Sequence, residues 1–252
     1  METGLMKGKV LPLQAFMVGY PSRLVVQQSK VRVQRECMKS LGFEFAPPQP
    51  GSYPPPNFDG ANMARRYGVS VPAEAEKFGY HLANDIGEPP LFEPGPAAGV
   101  ALKGRGPNGE KPADPRIPEG GCLGESDRKV GNLDETLVNQ LNGDSFERSQ
   151  SDPAVLQALA AWSSCMKGKG YTAASPLTVN EQLKNRGSRT VSPEEIATAV
   201  ADVDCKQESD LTRTWFEVET RIQNDLIGGN QLALTEARDA NALVVKAASG
   251  VG

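Results

Sequence analysis

Residues 192–229 read SPEEIATAVADVDCKQESDLTRTWFEVETRIQNDLIGG, and their pattern predicts a long helix. Ser192 with Glu195 forms a capping box, and Pro193 suits the first turn, where its missing N–H has no intrahelical partner. Ile196, Val200, Val203, Gln207, Leu211, Trp215, Val218, Ile222 and Leu226 then recur at three- and four-residue steps, the spacing of one helix face. Gly228-Gly229 interrupts at about 1 kcal/mol per glycine relative to alanine. Leu232, Ala233, Ala237, Ala240, Leu243, Val244 and Ala247 resume the pattern. Unbroken, such a helix would reach about 80 Å, so it must kink at the glycines or project. Continuity with a fraying end is the expectation.

Outward from this stretch the chain reads as further helices separated by irregular segments. Ser22 to Leu41 is expected to be helical, capped by Ser22 and stopped by Gly42, with Val26, Val33 and Cys37 on one face. Its surface is basic, whereas the 193–227 helix is acidic, so the two are expected to pack side by side. Short helices are expected at 62–67 and 72–78, and a longer one at 125–141. Another opens at Ser151-Asp152-Pro153 and runs through Trp162 to Gly168 or Gly170. Thr178 with Glu181 marks a short helix ending near Gly187. Residues 46–57 and 86–121 are rich in proline and glycine and read as irregular. The fold class is therefore mainly α: a disulfide-stapled helical bundle with a long C-terminal helix and an irregular Pro/Gly-rich middle. Three regions are expected: an extended segment at 1–21, a helix plus irregular region at 22–124, and a helical domain at 125–252.

Of the four cysteines, two stand in a motif that occurs twice. Cys37-Met38-Lys39 is followed by Gly42-Phe43, and Cys165-Met166-Lys167 by Gly170-Tyr171. Each copy should close a helix, with glycine as the stop and the aromatic folding back on the preceding turn. Four cysteines allow three pairings. Sequential order gives Cys37–Cys122 and Cys165–Cys205, each worth about 4 kcal/mol in the chain-entropy model. The alternative is four buried thiols acting as small hydrophobes.

Composition narrows the function classes. The 252 residues have a net charge of −4 and 38% apolar content, with 20 Pro and 26 Gly. That charge gives no reason to expect nucleic acid, and no apolar run approaches the length of a transmembrane span. There is no Cys-x-x-Cys and one histidine, His81, so neither metal nor cofactor is expected. Gly104 to Gly109 matches G-x-G-x-x-G, but Pro112 and Pro115 follow where a dinucleotide site needs a helix. No catalytic set is assembled by the sequence. His81 reads as a helix-end residue rather than a base, and the carboxylate pairs Asp202/Asp204 and Glu217/Glu219 read as a solvated face.

Arg-Arg-Tyr-Gly at 65–68 with Phe-Gly-Tyr at 78–80, Gly-Gly-Cys-x-Gly-Glu at 120–125, Trp-x-x-Cys-Met at 162–166 and Ala-x-Ala-Asp-Val-x-Cys-Lys at 199–206 resemble a group of uncharacterised actinobacterial proteins. Those are similar to exported or lipid-anchored envelope proteins. The resemblance spans Leu11 to about Leu243 and implies an extracytoplasmic location and oxidised cysteines; it implies no activity. Met1 to Tyr20, with Lys7 and Lys9 ahead of a stretch broken by Pro12, makes a poor signal peptide, so the expected export signal is not evident in this numbering.

The leading expectation is a non-enzymatic extracellular or cell-envelope protein that binds a protein or cell-wall partner. Tyr53, Tyr67, Phe78 and Tyr80 are its candidate recognition aromatics, standing in a region expected to be irregular. Leu232 and Leu243 on a projecting helix are candidates for a partner helix or a homo-oligomer contact. The alternatives are an extracytoplasmic enzyme, thiol-redox or hydrolytic, and a cytosolic all-helical protein with reduced cysteines.

Overall fold

Prolines 12, 21, 72, 96, 153 and 193 each stand in the first turn of a helix or 3-10 turn. Their fixed φ suits that position and no hydrogen bond is lost there. The computed structural model describes residues 4–55, 59–82, 90–183 and 190–250. Its helices are α1 (Tyr20–Ser40), α2 (Pro72–Phe78), α3 (Pro96–Lys103), α4 (Gly121–Val130), α5 (Thr136–Ser149), α6 (Pro153–Gly168), α7 (Pro193–Glu208) and α8 (Leu211–Gly250). Short 3-10 turns occupy Pro12–Phe16 and Val179–Gln182. No strand occurs among the described residues.

The chain packs as two units, each discontinuous in sequence. The first comprises Met1–Met17, Pro56–Asp85 and Thr136–Leu234; the second comprises Val18–Pro55, Ile86–Glu135 and Thr235–Gly252. The expected division at 22–124 and 125–252 is therefore not the one the packing follows. Helix α8 supplies its residues up to Leu234 to the first unit and the remainder to the second.

In the first unit α6 lies against α7 and α2 against α7. Trp162, Met166, Val155, Leu211, Cys205 and Trp215 are its buried centre. Trp215 is stacked on one side by Tyr67, ring centroids 5.0 Å apart, and on the other by Phe146 at 5.8 Å. In the second unit α1 packs on α4, with α3 against both. Cys37, Met38, Leu41, Leu102 and Cys122 form one cluster there. Val26, Val33, Val130 and Ala248 form another. Gly121 sits where α4 meets the end of α3: its φ is +67°, and a Cβ would lie 2.4 Å from the Leu102 carbonyl oxygen. Glycine is required on both counts.

The cysteines pair as Cys37–Cys122 and Cys165–Cys205, with Cα atoms 5.6 Å apart in each, inside the range such a bond allows. One bond lies in each unit, and each joins the last turn of a motif-bearing helix, α1 or α6, to a partner helix, α4 or α7.

Several expected boundaries move, for identifiable reasons. Helix α1 starts at Tyr20 with Gly19 as its cap, so Ser22 lies inside the first turn. The expected 125–141 helix is two helices, separated at Gly131, whose φ of +91° no helix accommodates. Residues 62–67 form turns, with Asn62 at φ +54°. The 178–187 helix reduces to the Val179–Gln182 turn; its 184–187 portion lies outside the described residues. The irregular 86–121 stretch contains α3, and its 86–89 portion lies outside the described residues. The long helix is broken not at Gly228-Gly229, through which α8 runs, but at Asp210, whose φ is +56°.

Beyond Gly228 the helix does not project uncovered. Leu234 is buried with Leu13, Val138 and Leu141 in the first unit. Val244, Val245 and Ala248 pack with Val26, Val33 and Val130 in the second. The Asn241 side chain there accepts from the Asp134 amide and donates to the Asp134 carbonyl, both at 2.8 Å. The expected pairing of basic α1 with the acidic helices is likewise replaced: Arg23 pairs with Glu135 and Lys30 with Asp127, each at 2.6 Å, within the second unit.

Candidate interaction surface

The first unit holds two buried polar networks. Glu219, fully buried on α8, accepts from the Arg66 guanidinium, from the Tyr67 hydroxyl at 2.7 Å and from Ser145 at 2.9 Å. Arg66 spends further donors on the carbonyls of Ala61 and Asn142, both at 3.0 Å. Gln223, one turn along α8, accepts from the Leu13 amide at 2.9 Å and donates to Ser145 at 3.0 Å. The second network is the buried pair Lys206–Asp202 at 2.9 Å, with Lys206 also donating to the Val69 carbonyl at 2.7 Å. Trp162 donates to Asp202 at 3.0 Å, and the Tyr80 hydroxyl lies beside the same carboxylate. Burial pushes the Asp202 carboxyl up and the Lys206 ammonium down, each opposed by the charge of the other.

Neither network offers a reacting atom to solvent: Glu219, Asp202 and Lys206 are all enclosed. In each, the buried charges offset their desolvation by pairing and hydrogen bonding, and so fix how segments meet. Glu195 acts similarly. Its amide donates to the Ser192 side chain at 3.1 Å, half of the expected capping box. Its carboxylate turns instead to the Tyr80 amide at 3.0 Å and to His81 Nε2 at 3.5 Å. His81 is thus a helix-end residue held against a carboxylate, as Arg65 holds its carbonyl at 2.9 Å. All four cysteines are in disulfides, and among the described residues no cluster of His, Cys, Asp or Glu is placed to hold a metal ion.

The four recognition aromatics do not form one exposed patch. Tyr67 is buried under Trp215 and bonded to Glu219, and Tyr80 is drawn into the first unit's core beside Asp202. Phe78 is half-buried with Lys77 over its ring. Tyr67 and Tyr80 stand in turns and Phe78 ends α2, and Arg65 and Arg66 tie that stretch to α2, α5 and α8 neighbours. Tyr53 alone of the four is exposed, and it belongs to the second unit. Leu232 and Leu243 are 72% and 68% exposed. Eleven residues apart, they share a helix face with Glu236, Asp239 and Lys246, so the apolar stripe expected there is interrupted by charge.

A surface suited to recognition lies elsewhere, in the second unit. An open groove of about 740 Å³ runs between Phe45, Phe92, Pro94, Pro96, Val100 and Arg105. It continues past Phe45 into a depression of about 480 Å³ beside Arg35, Lys39 and Phe43. Past Phe92 it meets a third of about 390 Å³, walled by Pro47, Pro48, Tyr53, Pro90 and Leu91. The Phe45 and Phe92 rings meet edge to face, centroids 5.3 Å apart, and join the three. Leu91 is 85% exposed and Tyr53 40%.

Local sequence explains this relief. After Gly42 ends α1, prolines 47, 48 and 50 keep the chain extended, so it runs back along α1 instead of forming a helix. Gln28 donates to the Pro50 carbonyl at 3.4 Å, and Gly51 packs closely on Leu24. The 90–95 segment is extended by the same chemistry, with Pro90 and Pro94 on either side of Leu91-Phe92. Two proline-rich strings, each carrying phenylalanine, thus lie side by side. That coincidence of Phe with Pro was the one available signal for Phe43, Phe45, Leu91 and Phe92, which sequence reasoning passed over in favour of the tyrosines.

No family model, no curated protein and no solved structure matches this chain. No helix of the described residues is long and apolar enough to cross a membrane.

Proposed function

We propose that this chain is a non-enzymatic protein of the cell exterior or envelope, which binds a partner through the aromatic groove of its second unit. The observation that carries this reading is the groove itself: exposed Leu91 and Tyr53 beside paired phenylalanine rings, an apolar relief that a protein surface does not usually leave open without a ligand. The two disulfides support an oxidising compartment, where such bonds persist. The motif resemblance to actinobacterial envelope proteins points the same way. Enzymatic readings lack a comparable support, since the buried titratable groups are enclosed and the cysteines are all paired.

The test is site-specific photo-cross-linking in intact cells, with the probe at Leu91 and, as control, at exposed Leu156 of the first unit. The reading predicts a discrete adduct from position 91, recovered with the envelope or external fraction, and none from position 156. An adduct-free Leu91 probe, or recovery of the protein in the cytosol with free thiols, would refute it.

A further inference from the structure

The groove's charge narrows what occupies it. Arg32, Arg35 and Lys39 recur at three- and four-residue steps, so they form a row along one exposed face of α1. Lys103 and Arg105 stand at the far wall, where α3 ends. None of these five cations has an acidic partner among the described residues, although α1's other cations, Arg23 and Lys30, are both paired. Exposed Glu36 lies beside this row on α1, and Glu44 and Glu93 line the depressions, so the local balance is basic but not extreme. An unpaired cation row beside an apolar groove stands out in a chain whose net charge is −4.

Resting on the partner-binding reading above, we propose that the occupant is an extended, acidic peptide segment carrying proline- or leucine-sized apolar side chains. Three observations favour a peptide. The relief is three open depressions that border one another at Phe45 and Phe92 rather than one closed cavity. Its walls are proline and phenylalanine, the surface that receives extended peptides elsewhere, because a stiff extended ligand loses little entropy on docking. Its uncharged hydrogen-bonding side chains are Gln49, Ser52 and Tyr53, whereas Arg35, Lys39, Lys103 and Arg105 at its walls suit the carboxylates of an acidic peptide. The cations supply orientation and encounter rate, and the apolar walls supply affinity.

The test uses the full chain with disulfides intact. A labelled short peptide of glutamate, proline and leucine is compared with its lysine-for-glutamate counterpart and with dextran sulfate, an anionic polymer without apolar side chains. The expected result is binding of the acidic peptide with chemical-shift changes at Phe45, Leu91 and Phe92, weakening with added salt. The lysine peptide should not bind. Arg35→Glu with Lys39→Glu should weaken the acidic peptide by about tenfold or more, and Leu91→Ser should weaken it as well. Leu156→Ser should not. All these side chains are exposed, and an unchanged helical circular dichroism spectrum confirms that each variant folds. Dextran sulfate binding as tightly as the peptide and indifferent to Leu91→Ser would overturn the proposal in favour of an anionic polymer. Absence of any acidic-peptide binding, alongside a Leu91 photo-adduct in cells, would overturn the acidic-peptide inference while leaving the partner-binding reading standing. Loss of both would end both.

Discussion

The backbone amide of Phe43 donates to the carbonyl oxygen of Met38 at 2.9 Å, and Gly42 donates to Lys39 at 3.0 Å. The same pair of bonds ends α6: Tyr171 to Met166 at 2.9 Å and Gly170 to Lys167 at 3.0 Å. In both, the glycine is left-handed, φ +84° at Gly42 and +91° at Gly170, and the aromatic packs with the methionine's cluster. This is the Schellman helix end, whose crossing bonds satisfy carbonyls the helix leaves bare. The repeated Cys-Met-Lys-x-x-Gly-aromatic string is thus one device used twice. It stops the helix one turn beyond a cysteine and turns an aromatic back over it.

A Cβ added at either glycine meets nothing within 4 Å, so alanine there costs backbone strain and no clash. Gly42→Ala and Gly170→Ala should each destabilise the protein by about 1–2 kcal/mol. Urea unfolding monitored by hydrogen exchange should place the first loss in α1 and α4 and the second in α6 and α7. An alanine variant as stable as the parent would mean that the left-handed turn is not needed.

Lys206 and Asp202 are a buried charge pair, and removing one partner should cost more than removing both. Lys206→Met leaves a carboxylate in the core and should cost about 3–5 kcal/mol. Asp202→Asn with Lys206→Met should recover most of that loss, since the asparagine oxygen can still accept from Trp162. Denaturant midpoints of the two variants decide it; equal losses would show that the pair does not act as a unit.

Burial, together with the neighbouring Glu219 charge, pushes the Tyr67 hydroxyl well above the usual phenol range. A raised folded-state pKa means that the folded protein holds this proton when the unfolded chain releases it. The contribution to stability is full below about pH 10, the unfolded value, and is lost as pH rises beyond it. The part of the phenolate absorbance that Tyr67→Phe removes should therefore appear together with alkaline unfolding, and the same variant should flatten that part of the pH–stability curve. A phenolate signal before unfolding that Tyr67→Phe removes would contradict the enclosure of Tyr67.

Much of the architecture was legible because it rests on local rules. Proline with Asp152 or Ser192 marked α6 and α7, and the cysteine motif marked the ends of α1 and α6. What stayed hidden depended on backbone choices that residue type does not force. Asp210 is one of the two described non-glycine residues with positive φ, and nothing in its sequence context announces the break between α7 and α8. Gly131 broke a helix while Gly228-Gly229 did not, because α8 is held on either side by Leu234 and by Gln223 with its partners. The tyrosines were expected at the surface because their segment looked loose. The burial of Tyr67 follows from Arg66 finding Glu219, a pairing 153 residues apart in sequence that no local pattern reveals.

Peptide mapping without reduction, on protein taken from its native cells, tests the account most directly. The account predicts two cross-linked species, Cys37 with Cys122 and Cys165 with Cys205, in material from outside the cytoplasm, with no alkylatable thiol. Four free thiols, or any other pairing, would contradict both the two clamped helix pairs and the oxidising location built on them.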